Sequence, residues 1–138
     1  MKKILFDTNV ILDVLLNRQS HSASSGAAWN AVETGAAEGF LAAHAVTTIH
    51  YLVQKEMGAA AAKRTIAAIL RVFRIAPVDS EVIQEALQLP CPDFEDAVTA
   101  ASARRERCDY VVTRGPKGFR GSPVRSLTPE ALMPLLDG

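Results

Sequence analysis

The chain has 138 residues, of which 49% are hydrophobic and 22% are charged, and its formal net charge at pH 7 is zero. This length predicts one domain with a core that needs no disulfide or structural metal, and the composition argues against a disordered chain. The sequence contains neither an apolar run of membrane-spanning length nor a signal peptide, so we expect a cytoplasmic protein without membrane contact. Zero net charge also argues against strong non-specific binding to nucleic acid.

The first half of the chain alternates short apolar runs with helical patterns. The run Ile4-Leu5-Phe6 is too short for a helix and predicts a strand that is buried on both faces. Further along, Gly35 and Gly39 indicate the end of a helix. In chain order we predict a strand at 4–6, helices from about 10 to 15 and 24 to 37, a strand at 40–43, and helices at about 45–57 and 59–73.

The second half continues the same alternation. Pro77 favours an edge position for the strand that contains it, because proline cannot donate to a neighbouring strand. We predict a strand at 74–78, a helix from about 80, a helix at 93–107, a strand at 109–113, a glycine-rich loop at 114–121, a strand at 124–127 and a helix at 129–136. Strands that alternate with helices indicate a parallel sheet. The sequence therefore predicts an α/β protein, a three-layer α/β/α sandwich forming a single domain over residues 1–138.

Acidic and hydroxyl side chains fall where the predicted strands end. Asp7 ends the first strand, Asp93 and Asp96 open the helix before the fourth strand, and Thr113 ends that strand. Parallel strands bring these positions to one edge of the sheet. Converging carboxylates repel one another, and a hard cation such as Mg²⁺ or Mn²⁺ relieves that repulsion. Such an ion can activate water and stabilise a phosphodiester transition state.

Helix capping is an alternative explanation for the same acids. Asp7, or Thr8 or Asn9 after it, can cap the helix that follows the first strand. Asp93, with an acid three residues on, resembles a capping box. The three histidines lack zinc-ligand spacing, and the two cysteines suit neither a zinc nor a redox site.

Charge is unevenly distributed along the second half of the chain. Six acids and no Lys or Arg lie between residues 79 and 96, whereas seven basic residues lie between 104 and 125. Either block is explained by a solvated face. An acidic metal site beside a basic rim for a phosphate backbone is the other explanation.

Three segments resemble motifs of the PIN-domain nucleases. Residues 6–13 (FDTNVILD) resemble the first motif, residues 93–98 (DFEDAV) the third, and residues 109–114 (DYVVTR) with Phe119 the fourth. The resemblance covers essentially the whole chain and implies a five-stranded parallel sheet, an acidic Mg²⁺ or Mn²⁺ site and cleavage of RNA. It further implies a VapC-type toxin with a cognate antitoxin, and commonly a homodimer.

This sequence matches only some of the acidic residues that the resemblance leads us to expect. Asp7 matches the first family acid and Asp96 the acid that opens the helix before the fourth strand. At the places of the two other acids we find His50 and Gly118, and Gly115 stands where Asp or Asn is frequent. Asp93 or Glu95 could compensate for part of this loss.

These matches lead to two main hypotheses and a weaker third. The first is a Mg²⁺- or Mn²⁺-dependent endoribonuclease whose catalytic residues are Asp7, Asp96, Asp93 and Thr113. Asp7, Asp96 and Asp93 would ligate the metal, Thr8 and Asn9 would orient ligands or water, and Arg114, Lys117 and Arg120 would contact RNA phosphates. The second is a PIN-fold module that binds RNA or a protein without cleavage. The third, a haloacid-dehalogenase-like phosphoacceptor, requires a second Asp where Asn9 stands.

Overall fold

Strands and helices alternate along the whole of the computed structural model, which describes residues 1–136. The strands are β1 (Lys2–Phe6), β2 (Ala37–Ala42), β3 (Arg74–Ala76), β4 (Tyr110–Val112) and β5 (Arg125–Leu127). The helices are α1 (Thr8–Leu15), α2 (Ser22–Glu33), α3 (Ala43–Met57), α4 (Ala59–Val72), α5 (Ser80–Gln88), α6 (Phe94–Arg105) and α7 (Pro129–Leu136), and a 3₁₀ turn spans Pro116–Phe119. Residues 137 and 138 of the predicted domain lie outside the described residues.

The strands form one parallel sheet in the order β3-β2-β1-β4-β5. Its central strand, β1, pairs Ile4 with Gly39 of β2 and with Tyr110 of β4. Ile4, Leu5 and Phe6 are at most 1% exposed, which confirms the prediction of a strand buried on both faces. Because β1 is central, the residue that follows it reaches the middle of the carboxyl edge.

Helices cover both faces of the sheet, as predicted. Ile4 and Phe6 point to one face, where they join a core with residues of α1, α2, α3, α4 and α7. Leu5 points to the other face and packs in a core with Ala100 and Ala103 of α6. On its far side α6 packs against α5. The three-layer α/β/α architecture is therefore confirmed.

The predicted strand at 74–78 ends at Ala76 and so does not contain Pro77, although it does lie at an edge of the sheet. The larger boundary error lies around β2. The second helix ends at Glu33 rather than near residue 37, β2 begins at Ala37 rather than at 40, and Gly39 lies inside this strand. A Cβ atom on Gly39 would stand 2.6 Å from Cδ1 of Phe73 and 2.8 Å from Cγ1 of Val32. Glycine is therefore required by the close packing of these side chains on the strand and does not end a helix.

No helix within residues 1–136 combines the length and the apolarity needed to cross a bilayer.

Candidate active site

Asp7 lies at the carboxyl end of β1 and is 9% exposed. Its backbone N–H donates to the carbonyl of Val112 over 2.9 Å, which ties it to β4. Oδ1 of the carboxylate accepts from the Thr8 backbone N–H and Oδ2 from Oγ1 of Thr113, both at 2.8 Å. Asp7 thus caps α1 and is also held in one orientation by the end of β4.

The predicted acids come together beside Asp7. A pocket of about 260 Å³ is lined by Asp7, Thr8, Asn9, Leu12, Arg18, Asp93, Glu95 and Asp96. The structure therefore gathers six residues that the sequence singled out, and Thr113 joins them through its bond to Asp7.

The pocket disfavours the ionised form of Asp7 and Asp96, two of the carboxylates that line it. Burial, and then the negative charges of Asp7, Asp93 and Glu95, raise the pKa of Asp96 to about 6. Burial also raises the pKa of Asp7, although the hydrogen bonds from Thr113 and Thr8 oppose part of this rise. For Asp96, no neighbouring positive charge offsets this rise in pKa, and a divalent cation would do so.

The donor atoms suit a hard cation that retains water. Within residues 1–136, no three His, Cys, Asp or Glu side chains are arranged to hold one ion. Asp7 and Asp96 are the two partly or fully buried acids of the pocket, and oxygen is the donor atom that Mg²⁺ and Mn²⁺ prefer. Mg²⁺ commonly binds through one or two carboxylates and fills its remaining positions with water. The pair therefore fits such an ion.

Asp93 does what the capping interpretation predicts. It precedes α6, is exposed, and its Oδ1 accepts from the Asp96 backbone N–H over 3.1 Å. This bond fixes the first turn of α6 and so helps to place Asp96. Asp93 also lines the pocket, where its charge contributes to the raised pKa of Asp96.

Gly118 and His50 occupy the two places where the resemblance expects further acids. A Cβ atom on Gly118 would overlap Oδ2 of Asp96, so the Asp96 carboxylate occupies the space beside this glycine. His50 lies on α3 and is not among the residues that line the pocket. Gly118 and Asp96 belong to different segments of the chain, and no sequence pattern indicated that they lie side by side.

The predicted phosphate contacts differ in their surroundings. Lys117 and Arg120 are exposed, in and just after the 3₁₀ turn. Arg114 is partly buried instead: its backbone N–H reaches Oδ1 of Asn9 at 3.4 Å, and its Nε donates to Oδ2 of Asp13 over 2.8 Å. Arg114 therefore has a structural bond that the sequence did not reveal.

His44 is a neighbour of the site that sequence reasoning missed. Its Nε2 lies 3.4 Å from Oγ1 of Thr99, which donates to the carbonyl of Glu95 over 3.0 Å. Because Thr99 uses its proton there, we assign the His44 proton to Nε2. Burial lowers the pKa of His44, while the charges of Glu95 and Asp7 act in the opposite direction. Its position directly after the predicted strand at 40–43 was the available signal, since Asp7 directly follows the first predicted strand in the same way.

Comparison with known proteins places these features in context. A family model described as "PIN domain" matches residues 3–115. No curated protein matches the sequence significantly.

Several solved structures share the fold at low identity. FitAcB from Neisseria gonorrhoeae is 23% identical with a TM-score of 0.72, over 92% of this chain and 98% of that one. A toxin–antitoxin complex from Klebsiella pneumoniae is 23% identical with a TM-score of 0.70, over 91% and 97%. VapC20 from Mycobacterium tuberculosis, described as a sarcin-ricin loop cleaving toxin, is 18% identical with a TM-score of 0.61, over 78% and 86%.

Proposed function

The chain belongs to the PIN-domain family, and from that premise we propose that it is a Mg²⁺- or Mn²⁺-dependent endoribonuclease. The observation that carries the proposal is the pocket at the carboxyl edge, where burial raises the pKa of both Asp7 and Asp96 and the charge of Asp7 raises the pKa of Asp96 further. Acids in such a cleft, with pKa values shifted by burial and by one another, are typical of functional sites. The family assignment also disfavours a dehalogenase-like use of Asp7.

In the proposed mechanism, Asp7 and Asp96 would hold the metal ion. When bound, the ion supplies a polarised water and positive charge for the phosphodiester transition state. Thr113 donates to Oδ2 of Asp7 and the Thr8 backbone N–H donates to Oδ1, so the carboxylate cannot rotate away from the pocket. Asp93 fixes the start of α6 and thereby Asp96, while Asn9 lines the same pocket.

RNA phosphates would contact the basic segment that follows β4. Lys117 and Arg120 are exposed there, and Arg114 follows Thr113 directly. Phosphate contacts of this kind position a nucleic acid without reading its sequence. We therefore assign binding, and not target selection, to these three side chains.

We further propose that the protein is the toxin of a toxin–antitoxin pair. Support comes from the structural relatives: one is described as a toxin–antitoxin complex and another as a toxin that cleaves the sarcin-ricin loop. Such a protein would act in the cytoplasm, would be held inactive by a cognate antitoxin, and would form a homodimer.

Cleavage of a labelled single-stranded RNA with Mn²⁺ or Mg²⁺ tests the nuclease proposal. We expect Asp7→Asn and Asp96→Asn each to lower kcat/KM by roughly a hundredfold, because each removes a metal-binding charge. Asp109→Asn is the matched control, since Asp109 precedes β4 at the opposite edge and its carboxylate accepts from the Lys3 backbone N–H. Cleavage that survives EDTA, or that is unchanged in Asp7→Asn, would refute the proposal.

A second candidate function is RNA or protein binding without cleavage. It is favoured by one observation: within residues 1–136 no three acidic, histidine or cysteine side chains are placed to hold an ion. This alternative predicts that RNA binds to the wild-type protein without being cut. It also predicts that Mn²⁺ does not raise the melting temperature, whereas a ligand of the native state would raise it.

A further inference from the structure

Asp13 is a fully buried carboxylate one helical turn and a half beyond Asp7. It is 0% exposed and lies on α1. Oδ2 accepts from Oγ of Ser25 over 2.9 Å and from Nε of Arg114 over 2.8 Å. Its Oδ1 is buried and has no hydrogen-bond partner among the described residues. A buried carboxylate is costly unless cations compensate it, so this charge constrains the basic side chains around it.

Arg18 is the second cation held by Asp13. Its Nη1 lies 3.5 Å from Oδ1, within ion-pair distance but without the alignment of a hydrogen bond. The backbone of Arg18 is also fixed, because its N–H donates to the Asp13 carbonyl over 3.0 Å. Asn17, with a φ of 48°, shapes the turn that brings Arg18 back towards α1. Carboxylate and turn together limit the positions that the guanidinium can adopt.

Arg18 is also the basic residue that lines the acidic pocket. It shares the lining with Asp7 and Asp96, and its side chain is 37% exposed. Arg114, bonded to the same Asp13 carboxylate through Nε, is 31% exposed and directly follows Thr113. One of its five N–H donors is used for Asp13, so others remain for a ligand. Arg18 thus lines the pocket, whose other charged residues are acids, and Arg114 adjoins it, because its backbone N–H lies 3.4 Å from Oδ1 of the pocket residue Asn9.

We propose that Asp13 orients Arg18 and Arg114 as a two-arginine phosphate clamp at the rim of the carboxylate pocket. This rests on the proposed function, because the ligand is a phosphate of the RNA backbone next to the bond that is cut. Arg18 and Arg114 contact that phosphate, and Asp13 is a positioning residue that the substrate does not touch. Guanidinium groups suit this task because they bind phosphate oxygens through paired N–H donors.

Binding of a fluorescent ten-nucleotide single-stranded RNA, measured by anisotropy in EDTA at several salt concentrations, tests the clamp without cleavage. Loss of a phosphate contact lowers the slope of log K against log salt by about 0.7 for single strands. We expect Arg18→Ala to lower the slope by about that amount and to weaken binding about tenfold, as for loss of one charged hydrogen-bond donor. Arg18→Lys should retain most of the slope but not the full affinity.

Arg71→Ala is the matched control. Arg71 is an exposed arginine near the end of α4, just before β3 starts, and therefore at the opposite edge of the sheet. Arg71→Ala removes the same charge as Arg18→Ala. We expect the Arg71→Ala protein to have the salt slope and the Kd of the wild type. Equal effects of Arg18→Ala and Arg71→Ala would overturn the clamp, because net charge alone would then explain the loss.

Asp13→Asn tests the positioning role. It keeps the shape of the side chain and removes the charge that holds both arginines. We expect the salt slope to fall in Asp13→Asn, and to fall by less when Asp13→Asn is added to Arg18→Ala, because only Arg114 then remains to lose its support. Additive effects would overturn the role of Asp13. Circular dichroism checks the fold, and the Arg18 variants test the clamp even if Asp13→Asn does not fold.

Failure of the clamp and failure of the nuclease proposal give different results. If the wild type binds RNA with the Arg18-dependent slope but does not cleave it with any divalent metal, the clamp stands and the nuclease proposal fails. If the wild type cleaves RNA and Arg18→Ala leaves Kd, slope and KM unchanged, the clamp fails and the nuclease proposal stands. Absence of RNA binding by the wild type overturns the clamp.

Discussion

At the scale of single residues, Asp96 carries an electrostatic cost that depends on pH. Its pKa in the folded protein is raised to about 6, first by burial and then by neighbouring acids. The ionised form is therefore disfavoured by folding. Above pH 6 this lowers the stability of the metal-free protein, and the cost disappears as the pH falls through 6 towards the ordinary value of 3.8.

We therefore expect Asp96→Asn to stabilise the metal-free protein at pH 8. The gain should be about 1 kcal/mol once the partial exposure of Asp96 is allowed for, and it should shrink towards zero near pH 4. Urea unfolding in EDTA at both pH values measures it, with Asp109→Asn as the control. An equal gain at pH 8 and pH 4 would contradict this explanation.

Gly118 is a second residue whose effect is local. A Cβ atom at this position would overlap Oδ2 of Asp96. Because that oxygen is the end of a rotatable side chain, we expect Gly118→Ala to displace the carboxylate while the fold is retained. Mn²⁺ affinity should fall about tenfold, the usual lower bound for disturbing a ligand's support, with little change in melting temperature without metal.

Isothermal titration with Mn²⁺ and a thermal melt in EDTA separate these two effects. Gly115→Ala is the matched control, because a Cβ atom at Gly115 meets nothing within 4 Å and the residue lies in the same loop. Unchanged Mn²⁺ affinity in Gly118→Ala would contradict the contact with Asp96.

At the scale of whole elements, two glycines should respond in opposite directions. Gly39 in β2 lies under Phe73 and Val32, and a Cβ atom would stand 2.6–2.8 Å from their side-chain carbons. Gly26 lies inside α2, where a Cβ atom would meet nothing within 4 Å. The first position demands glycine for packing, whereas the second only loses helix propensity.

We expect Gly39→Ala to lower the free energy of unfolding by roughly 1–3 kcal/mol, because overpacking forces the strand or the Phe73 ring to move. Gly26→Ala should raise it by about 0.5–1 kcal/mol, the difference in helix propensity between glycine and alanine. Urea denaturation of both variants measures the changes. Destabilisation of similar size in both would show that the packing explanation for β2 is wrong.

The sequence pattern of helix α6 predicted its contact with the sheet but not how deeply the helix is buried. Its alanines predicted close approach to the sheet, and Ala97, Ala100 and Ala103 are at most 2% exposed. Thr99 and Ser102 are buried as well, because α6 is enclosed between the sheet and α5. A helix covered on opposite sides has no clear polar face, so its periodicity could not show how deeply it lies.

At the scale of the whole molecule, sheet order assembles the site. β1 lies between β2 and β4, so the residues after these three strands meet at the middle of the carboxyl edge. Asp7, His44 and Thr113 reach the site in this way, and the first turn of α6 adds Asp96. The acidic and basic blocks of the second half are separate in the sequence, but the fold pairs part of them, because Arg104 lies against Glu85 and Arg105 against Asp79 and Glu81.

The sequence by itself determined the architecture and the identity of the central acids. Alternation of apolar runs with helical patterns depends on neighbouring residues, so it predicted the parallel sheet. The strand ends placed Asp7 and Thr113 at one edge of that sheet, and the start of the helix before the fourth strand placed Asp96 there. It misplaced the start of β2, because Gly39 is demanded by Phe73, a residue far along the chain.

Only the tertiary structure decided how the site is supported. The bond from Arg114 to Asp13 spans 101 positions, the contact of Thr99 with His44 spans 55, and Gly118 makes room for Asp96 from a separate loop. The sequence assigned no role to Asp13, and it predicted Arg114 only as a phosphate contact. Such pairings leave no mark in local periodicity, because they depend on the distance between side chains that only the folded chain brings together.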